Sequence, residues 1–503
     1  MVCKANCATI TGVVVLPVTV ETDICNGLPS FDMVGLLSSD TKESRERVRT
    51  ALKNSGFLVP PKRITINFSP GNLRKSGTYF DLAIAISILQ SLGVISKDIS
   101  KMIFIGELSL DGATIKVNGV LPIVLDAISR GLEMCFVPGD NVKECEGVKG
   151  IKIVPVDSLN HLVQMITSET YDEPDFSNQK QESSLENIYD FKYIKGQMQA
   201  RRGAEIAVAG MHNFLMVGAP GTGKSIIARS MQTIMPEMSK EEQIEISKIQ
   251  SVAGLLEDGP VTQRPFRSPH HTATVAAMIG GGSNPKPGEV TLAHGGILYM
   301  DEFPEFSRAV MESLRQPLED GVMKVSRTYG NYEFPANFML LAAMNPCRCG
   351  YYPDRNKCNC TEHDVKKYLE KVSGPIMDRM DLCTRMNSVS YKELSSDERL
   401  EDSATIRERV NEAVQIQKQR YKDEDFEFNS DLKGRLIKKY CKLGKKEESM
   451  LKTIYDSFDL SVRAYEKILK TARTIADLEQ SEKIKERHLA EALSFKVIDG
   501  KNS

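Results

Sequence analysis

The stretch Val217-Gly-Ala-Pro-Gly-Thr-Gly-Lys-Ser225 constrains the fold more than any other. It fits the phosphate-loop pattern G-x-x-x-x-G-K-[ST] over Gly218, Ala219, Pro220, Gly221, Thr222, Gly223, Lys224 and Ser225. The apolar HNFLMV before it reads as a buried strand, and SIIARSMQTIM after it reads as a helix. A strand that turns through glycines into a helix belongs to a parallel α/β sheet. There the glycines let backbone N–H groups curl around phosphates, and the helix N-terminus adds partial positive charge. Lys224 then neutralises the β- and γ-phosphates of ATP, and Ser225 holds Mg²⁺. The alternative, a plain glycine turn before a helix, is disfavoured because strand and helix are both in place.

Two later strands belong to the same site. GGILYMDE (Gly295 to Glu302) is an apolar run that ends in two carboxylates. Open α/β sheets bind ligands at the C-terminal tips of their strands. That places Asp301 beside Mg²⁺ and gives Glu302 the task of polarising the attacking water. An exposed acidic turn is the weaker alternative. FMLLAAMN ends in Asn345, whose amide can orient the water or sense the γ-phosphate.

The chain has 503 residues, room for about three domains. Its composition, 41% hydrophobic and 26% charged, excludes wholesale disorder. A net charge of −2 gives no overall basic footprint, so any nucleic-acid contact must be local. No apolar run reaches the ~18 residues that cross a bilayer, and the N-terminus lacks the features of a signal peptide. No membrane partner and a cytoplasmic location are expected. The predicted layout is α/β throughout, with an N-terminal α/β domain over 1–167 and a linker over 168–187. An ATPase domain over 188–386 and a charged helical region over 387–503 follow.

The phosphate loop, the Asp-Glu strand and the Asn345 strand together resemble AAA+ ATPases. FRSPHHTATVAAMIGGGSNPKPGEVTLAHGGILYMDE, LRQPLEDG and AAMNPCRCGYY narrow this to the magnesium-chelatase-like group. GLPSFDMVGL, KESRERVRTALKNSGF, KRITINFSPGNLRKSGTYFDLAIAI and FIGELSLDG are similar to the ComM/YifB type. The resemblance covers nearly the whole chain in one order. It implies a ring-forming homo-oligomer, a hexamer, with ATP sites between subunits. SGPIMDRMDL matches the arginine-finger segment, which implies that Arg379 acts on the neighbour's ATP. LSVRAYEKILKTARTIADLE matches the lid helix, which makes Arg463 the second sensor in its own subunit. Without the resemblance, either arginine reads as a surface salt bridge worth little.

The resemblance also implies two projections into the ring. One is the glycine-rich insertion between the phosphate loop and the Asp-Glu strand, which is not plainly core. The other is a hairpin, GVMKVSRTYGNYEFPA, with Gly330-Asn331 predicted at its turn. Its Lys324 and Arg327 either contact DNA phosphates or are ordinary solvated charges. His270, His271 and His294 show no ligand spacing and stay unassigned.

Eleven cysteines in a cytosolic chain favour thiols or metal ligation over disulfides. Cys347-x-Cys349 and Cys358-x-Cys360 can close a tetrahedral Zn²⁺ site, or can be free thiols in a mobile loop.

The first domain resembles the Lon-protease fold, whose hydrolysis needs a serine activated by a lysine. Phe80 and Asp81 stand where the serine should fall, and Ile123 stands in the lysine's place. Lys75 and Ser76 are adjacent in sequence, which does not set them face to face. The domain therefore reads as non-hydrolytic.

The resemblance implies an ATP-driven DNA helicase of the branch-migration type, acting in recombination or natural transformation. Two alternatives stand beside it. One is a chelatase-type remodeller driving metal insertion. The other is a scaffold that binds ATP without turnover, which the presence of Lys224, Glu302 and Arg379 disfavours. An N-terminal Lon-like domain argues against the chelatase reading.

Overall fold

The computed structural model of the protein describes residues 2–174, 176, 188–256, 259–282, 285–327, 330–395 and 400–496. The N-terminal domain is built on a seven-stranded mixed sheet. Its strands are β1 (Cys3–Thr11), β2 (Val14–Cys25), β3 (Ser30–Val34), β4 (Arg63–Ser69), β5 (Met102–Phe104), β6 (Met134–Pro138) and β7 (Lys152–Val156), in the order β7-β6-β5-β1-β2-β4-β3. Along β2 the side chains of Val18, Val20 and Thr22 alternate inward, as a half-buried strand requires. Helix α1 (Ser39–Asn54) starts where the Ser38 hydroxyl caps Thr41 N–H, and it buries Val48, Ala51 and Leu52. Helix α2 (Asp81–Ser91) is apolar all round and fully buried against the sheet. Helices α3 (Val120–Ser129) and α4 (Leu159–Ser168) complete the domain.

The second sheet has five parallel strands: β8 (Phe214–Gly218), β9 (Phe266–Arg267), β10 (Ile297–Met300), β11 (Met339–Met344) and β12 (Leu382–Met386). Their order is β9-β10-β11-β8-β12. β10 and β11 are buried on both faces, which is why ILYM and MLLAAM carry no polar alternation. On one face Leu340 and Ala342 meet Val290 and Phe334. On the other, Phe214, Met216 and Leu341 share one core with the C-terminal helices α7 (Ser403–Arg420), α8 (Val462–Leu478) and α9 (Glu486–Ser494), through Val410, Leu469 and Phe495. The charged helical region predicted from 387 onward thus lays an apolar stripe directly on the ATPase sheet.

The glycine-rich insertion departs from its predicted openness. Met278, Val290, Leu292 and Ala293 are buried, because short helices at Val275–Ile279 and Glu289–Leu292 pack them under β10.

The N-terminal domain docks on helix α5 (Lys240–Ala253; α6 is Lys224–Thr233 by the numbering used below). There the Ser251 hydroxyl donates to Glu144 (2.5 Å), and Gly119 N–H donates to the Ser251 carbonyl (2.9 Å). Most of the predicted linker, 175 and 177–187, lies outside the described residues.

Candidate nucleotide site

The topology of the second sheet brings three sequence motifs to one edge. β8 delivers the phosphate loop, β11 beside it delivers Asn345, and β10 next along delivers Asp301 and Glu302. Gly223 adopts a left-handed conformation (φ 91°), which turns the loop into α6 and aims the first free N–H groups outward.

Lys224 Nζ donates to the carbonyls of Gly218 (2.6 Å) and Ala219 (3.0 Å) and to Asn345 Oδ1 (3.2 Å). Burial lowers its pKa from the ordinary lysine value, against the pull of Asp301. A half-buried cation held only by neutral oxygens is poised to exchange them for an anion. The Ser225 hydroxyl donates to Asp301 Oδ2 (3.0 Å), with the Tyr299 hydroxyl 3.5 Å away. A hydroxyl and a carboxylate at hydrogen-bond distance are hard oxygen donors suited to Mg²⁺.

Glu302 sits in the left-handed region (φ 51°), unusual for a non-glycine residue, with its N–H bonded to Asp301 Oδ1 (2.9 Å). This bend carries its side chain away from Asp301 and toward His271, whose Nδ1 lies 3.2 Å from Glu302 Oε2. The His270 and His271 rings are 4.2 Å apart. His294 is elsewhere, between Glu245 and the Asn337 N–H. Spacing gave no hint of the His271–Glu302 pair, because the two belong to separate loops.

The two arginines differ. Arg463, at the start of α8, lines the same cavity of about 1840 Å³ as Gly218 to Gly223 and pairs with Asp378 (2.8 Å). Arg379 is not among the residues lining that cavity. Its guanidinium donates to the Pro375 carbonyl (2.7 Å) and forms an ion pair with Glu319.

The finger segment is tied to the sheet by buried Asp381, whose Oδ2 accepts from Asn213 N–H (3.2 Å). Burial opposes its charge, yet Lys470 and His212, each 3.6 Å away, hold its carboxyl well below the usual range. A depressed carboxyl pKa contributes stability above the unfolded value of about 3.9, lost as pH falls below it toward the folded value. Asp381→Asn should cost about 3 kcal/mol near neutral pH, since Lys470 is left uncompensated. Thermal unfolding should show the variant and wild type converging as pH drops below about 4.

The four cysteines converge. Cys347 Sγ lies 3.3 Å from Cys349 Sγ and 3.8 Å from Cys358 Sγ, and Cys349 and Cys358 are 3.5 Å apart. With Cys360, all four sulfurs fall within 4.8 Å of one another.

Comparison with known proteins agrees with this architecture. Residues 190–394 match the family model described as magnesium chelatase, subunit ChlI. Residues 400–496 match its C-terminal counterpart, and residues 20–141 match a model described as subunit ChlI of Mg-chelatase. The YifB protein of Salmonella typhimurium is 39% identical over 97% of this chain and 96% of its own length. The competence protein ComM of Haemophilus influenzae is 38% identical over 96% of this chain and 94% of its own length. The chain belongs to the ComM/YifB-type magnesium-chelatase-like family. A shorter similarity, 26% over 161 residues, links it to the Lon protease of Trichlorobacter lovleyi.

Membership in the ComM/YifB-type family implies an AAA+ ATPase and gives the Lon-like domain its context. At the positions of the Lon serine and lysine, Phe80, Asp81 and Ile123 are all buried. Asp81 accepts from Arg47 (2.8 Å) and from Leu108 N–H (3.1 Å), so it braces the fold. Lys75 is buried with its ammonium on the Pro70 carbonyl, while Ser76 bonds Thr9 through its backbone.

The hairpin requires a correction. Its strands are β13 (Val322–Arg327) and β14 (Gly330–Pro335), so Gly330-Asn331 lie in a strand and pair with Arg327 and Ser326. The turn falls at 328–329, outside the described residues. Apolar cross-strand pairs, Met323 with Phe334 and Val325 with Tyr332, fix this register against the glycine-asparagine signal. Lys324 and Arg327 are exposed, and Lys324 faces Glu333 at 3.7 Å. Among the described residues, no helix is long and apolar enough to cross a membrane.

Proposed function

We propose that the chain is an ATP-driven, ring-forming DNA motor of the helicase or branch-migration type, acting in recombination or natural transformation. The observation that carries this reading is Lys224, Ser225, Asp301 and Asn345 joined at one sheet edge in a near-full-length relative of a competence protein. In this reading Lys224 and the loop N–H groups bind the phosphates, and Ser225 and Asp301 hold Mg²⁺, which neutralises charge on the transferring phosphoryl group. Glu302 accepts the proton of the attacking water, and Asn345 orients that water. Arg463 reaches across its own cavity, and Arg379 completes the site of the next subunit in a homohexamer.

The Lon-like domain serves assembly or partner binding without peptide hydrolysis. The ring works in the cytoplasm, away from membranes. DNA enters through local contacts, because a net charge of −2 leaves no broad basic face. Six hairpins would offer Lys324 and Arg327 to the phosphates of one strand.

The double change Lys324→Ala and Arg327→Ala should weaken DNA binding regardless of sequence, and DNA-stimulated hydrolysis with it. The slope of log affinity against log salt should fall by about 2 for two lost phosphate contacts. Fluorescence anisotropy across a salt series, with strand displacement from forked DNA, tests this. Normal unwinding by the variant would assign the hairpin a structural role.

The family descriptions favour one second reading, a chelatase-type remodeller. The model matching 20–141 carries the chelatase description too, so the N-terminal domain does not separate the two readings. Stimulation of hydrolysis by DNA does.

A further inference from the structure

The cysteine knuckle and the phosphate loop touch. Gly350, between the two Cys-x-Cys pairs, has φ 91°, and a Cβ there would lie 2.6 Å from Pro220 Cδ. Only a glycine permits this approach of knuckle backbone to phosphate loop. Tyr351, Tyr352, Pro353, Asp354 and Lys357 line the same cavity as Gly218 to Gly223. The first cysteine follows Asn345 by two residues, and Asn345 accepts from Lys224. The knuckle is therefore a wall of the nucleotide site.

Apolar burial does little to hold that wall. Between Cys349 and Cys358 only Gly350 is buried and Tyr352 half-buried, while every other residue is exposed. The apolar cluster beneath is small, with Cys347, Cys358 and Val365 at its centre. What gathers the loop is the four sulfurs. A tetrahedral Zn²⁺ with Zn–S bonds of about 2.3 Å sets its sulfurs about 3.8 Å apart. The observed separations of 3.3, 3.5 and 3.8 Å match that single-ion spacing. An iron–sulfur cluster would hold its cysteines farther apart, around a multi-atom core. The Tyr352 N–H directed at Cys347 Sγ (3.4 Å) gives one thiolate an outer partner. Arg355 closes the loop on the Cys360 carbonyl (2.8 Å).

We propose that Cys347, Cys349, Cys358 and Cys360 hold one Zn²⁺ and that this ion, by fixing the knuckle against Pro220, sets the affinity of the phosphate loop for nucleotide. The proposal rests on the reading of the phosphate loop as an ATP site. It makes the metal a positioning element, outside the reacting atoms.

The test uses the full-length protein purified without chelators. Metal analysis should find about one zinc per chain. A fluorescent ADP analogue should bind the zinc-loaded protein, and stripping the metal should weaken binding by about tenfold or more, as expected when a preorganised wall is loosened. Returning Zn²⁺ should restore it. Cys358→Ser should lose both metal and affinity. Gly350→Val should keep the zinc and lose affinity, because its side chain meets Pro220. That variant separates the wall from the metal's effect on folding. Zinc near zero, or the sulfurs joined in a disulfide, would overturn the metal site. Unchanged affinity in the stripped protein would overturn the coupling and leave the ATP site standing. A zinc-loaded wild type that binds no nucleotide would overturn the phosphate-loop reading and this proposal with it.

Discussion

Arg379→Ala should reduce steady-state ATP hydrolysis by about 10³-fold or more while nucleotide affinity stays nearly unchanged. The expected size follows from charge. An arginine supplied in trans meets negative charge that develops as the γ-phosphoryl group transfers, so its removal affects the transition state more than the bound state. The structure adds a condition. Within its own chain the guanidinium is engaged by Glu319 and the Pro375 carbonyl, away from the cavity that its own phosphate loop lines. A trans role therefore requires exchange of Glu319 for the neighbour's phosphate. Mixed assemblies provide the check. Arg379→Ala subunits combined with Glu302→Gln subunits should recover part of the lost turnover, because some interfaces then contain both intact groups. If no mixture recovers although the subunits demonstrably exchange, Arg379 acts in some other way.

Glu302→Gln should bind ATP and turn it over more slowly by about 10²- to 10⁴-fold, the range attributed to a positioned general base. Lys224→Ala should fail earlier, at binding, because it removes the cation beneath the phosphates. Single-turnover hydrolysis alongside nucleotide titration separates the two defects. The geometry explains why the carboxylates are not interchangeable. Asp301 is bonded to Ser225, whereas Glu302 is bent outward by its left-handed backbone and meets His271. Turnover at the wild-type rate in Glu302→Gln would remove it from water activation.

The parts of this site that were legible in the sequence share one property: each motif is local. A buried parallel strand must be apolar along its length, so the polar residue that ends it stands out. Asn345, Asp301 and the phosphate loop were found in this way, and the sheet order then placed them side by side. The four cysteines were equally visible, since nothing but chemistry clusters thiols so tightly.

Contacts between loops were not legible. His271 against Glu302, Glu319 against Arg379, and Gly350 against Pro220 join segments whose separation carries no period. The hairpin turn was misplaced for a related reason. A glycine-asparagine pair is a local turn signal, but the register was set by Met323, Val325, Tyr332 and Phe334 facing the core. The insertion showed the same bias. Its glycines suggested an open loop, whereas Met278 and Val290 anchor it under the sheet.

The central claim, that ATP hydrolysis by this chain is coupled to DNA, is reached most directly by steady-state hydrolysis with Mg²⁺ in the presence and absence of DNA. Single-stranded or forked DNA at low salt should raise the rate of the full-length protein several-fold, and the stimulation should fade steeply as salt rises. A basal rate that DNA leaves unchanged at low salt, in a protein shown to hydrolyse ATP, would contradict the motor reading and favour the chelatase-type alternative.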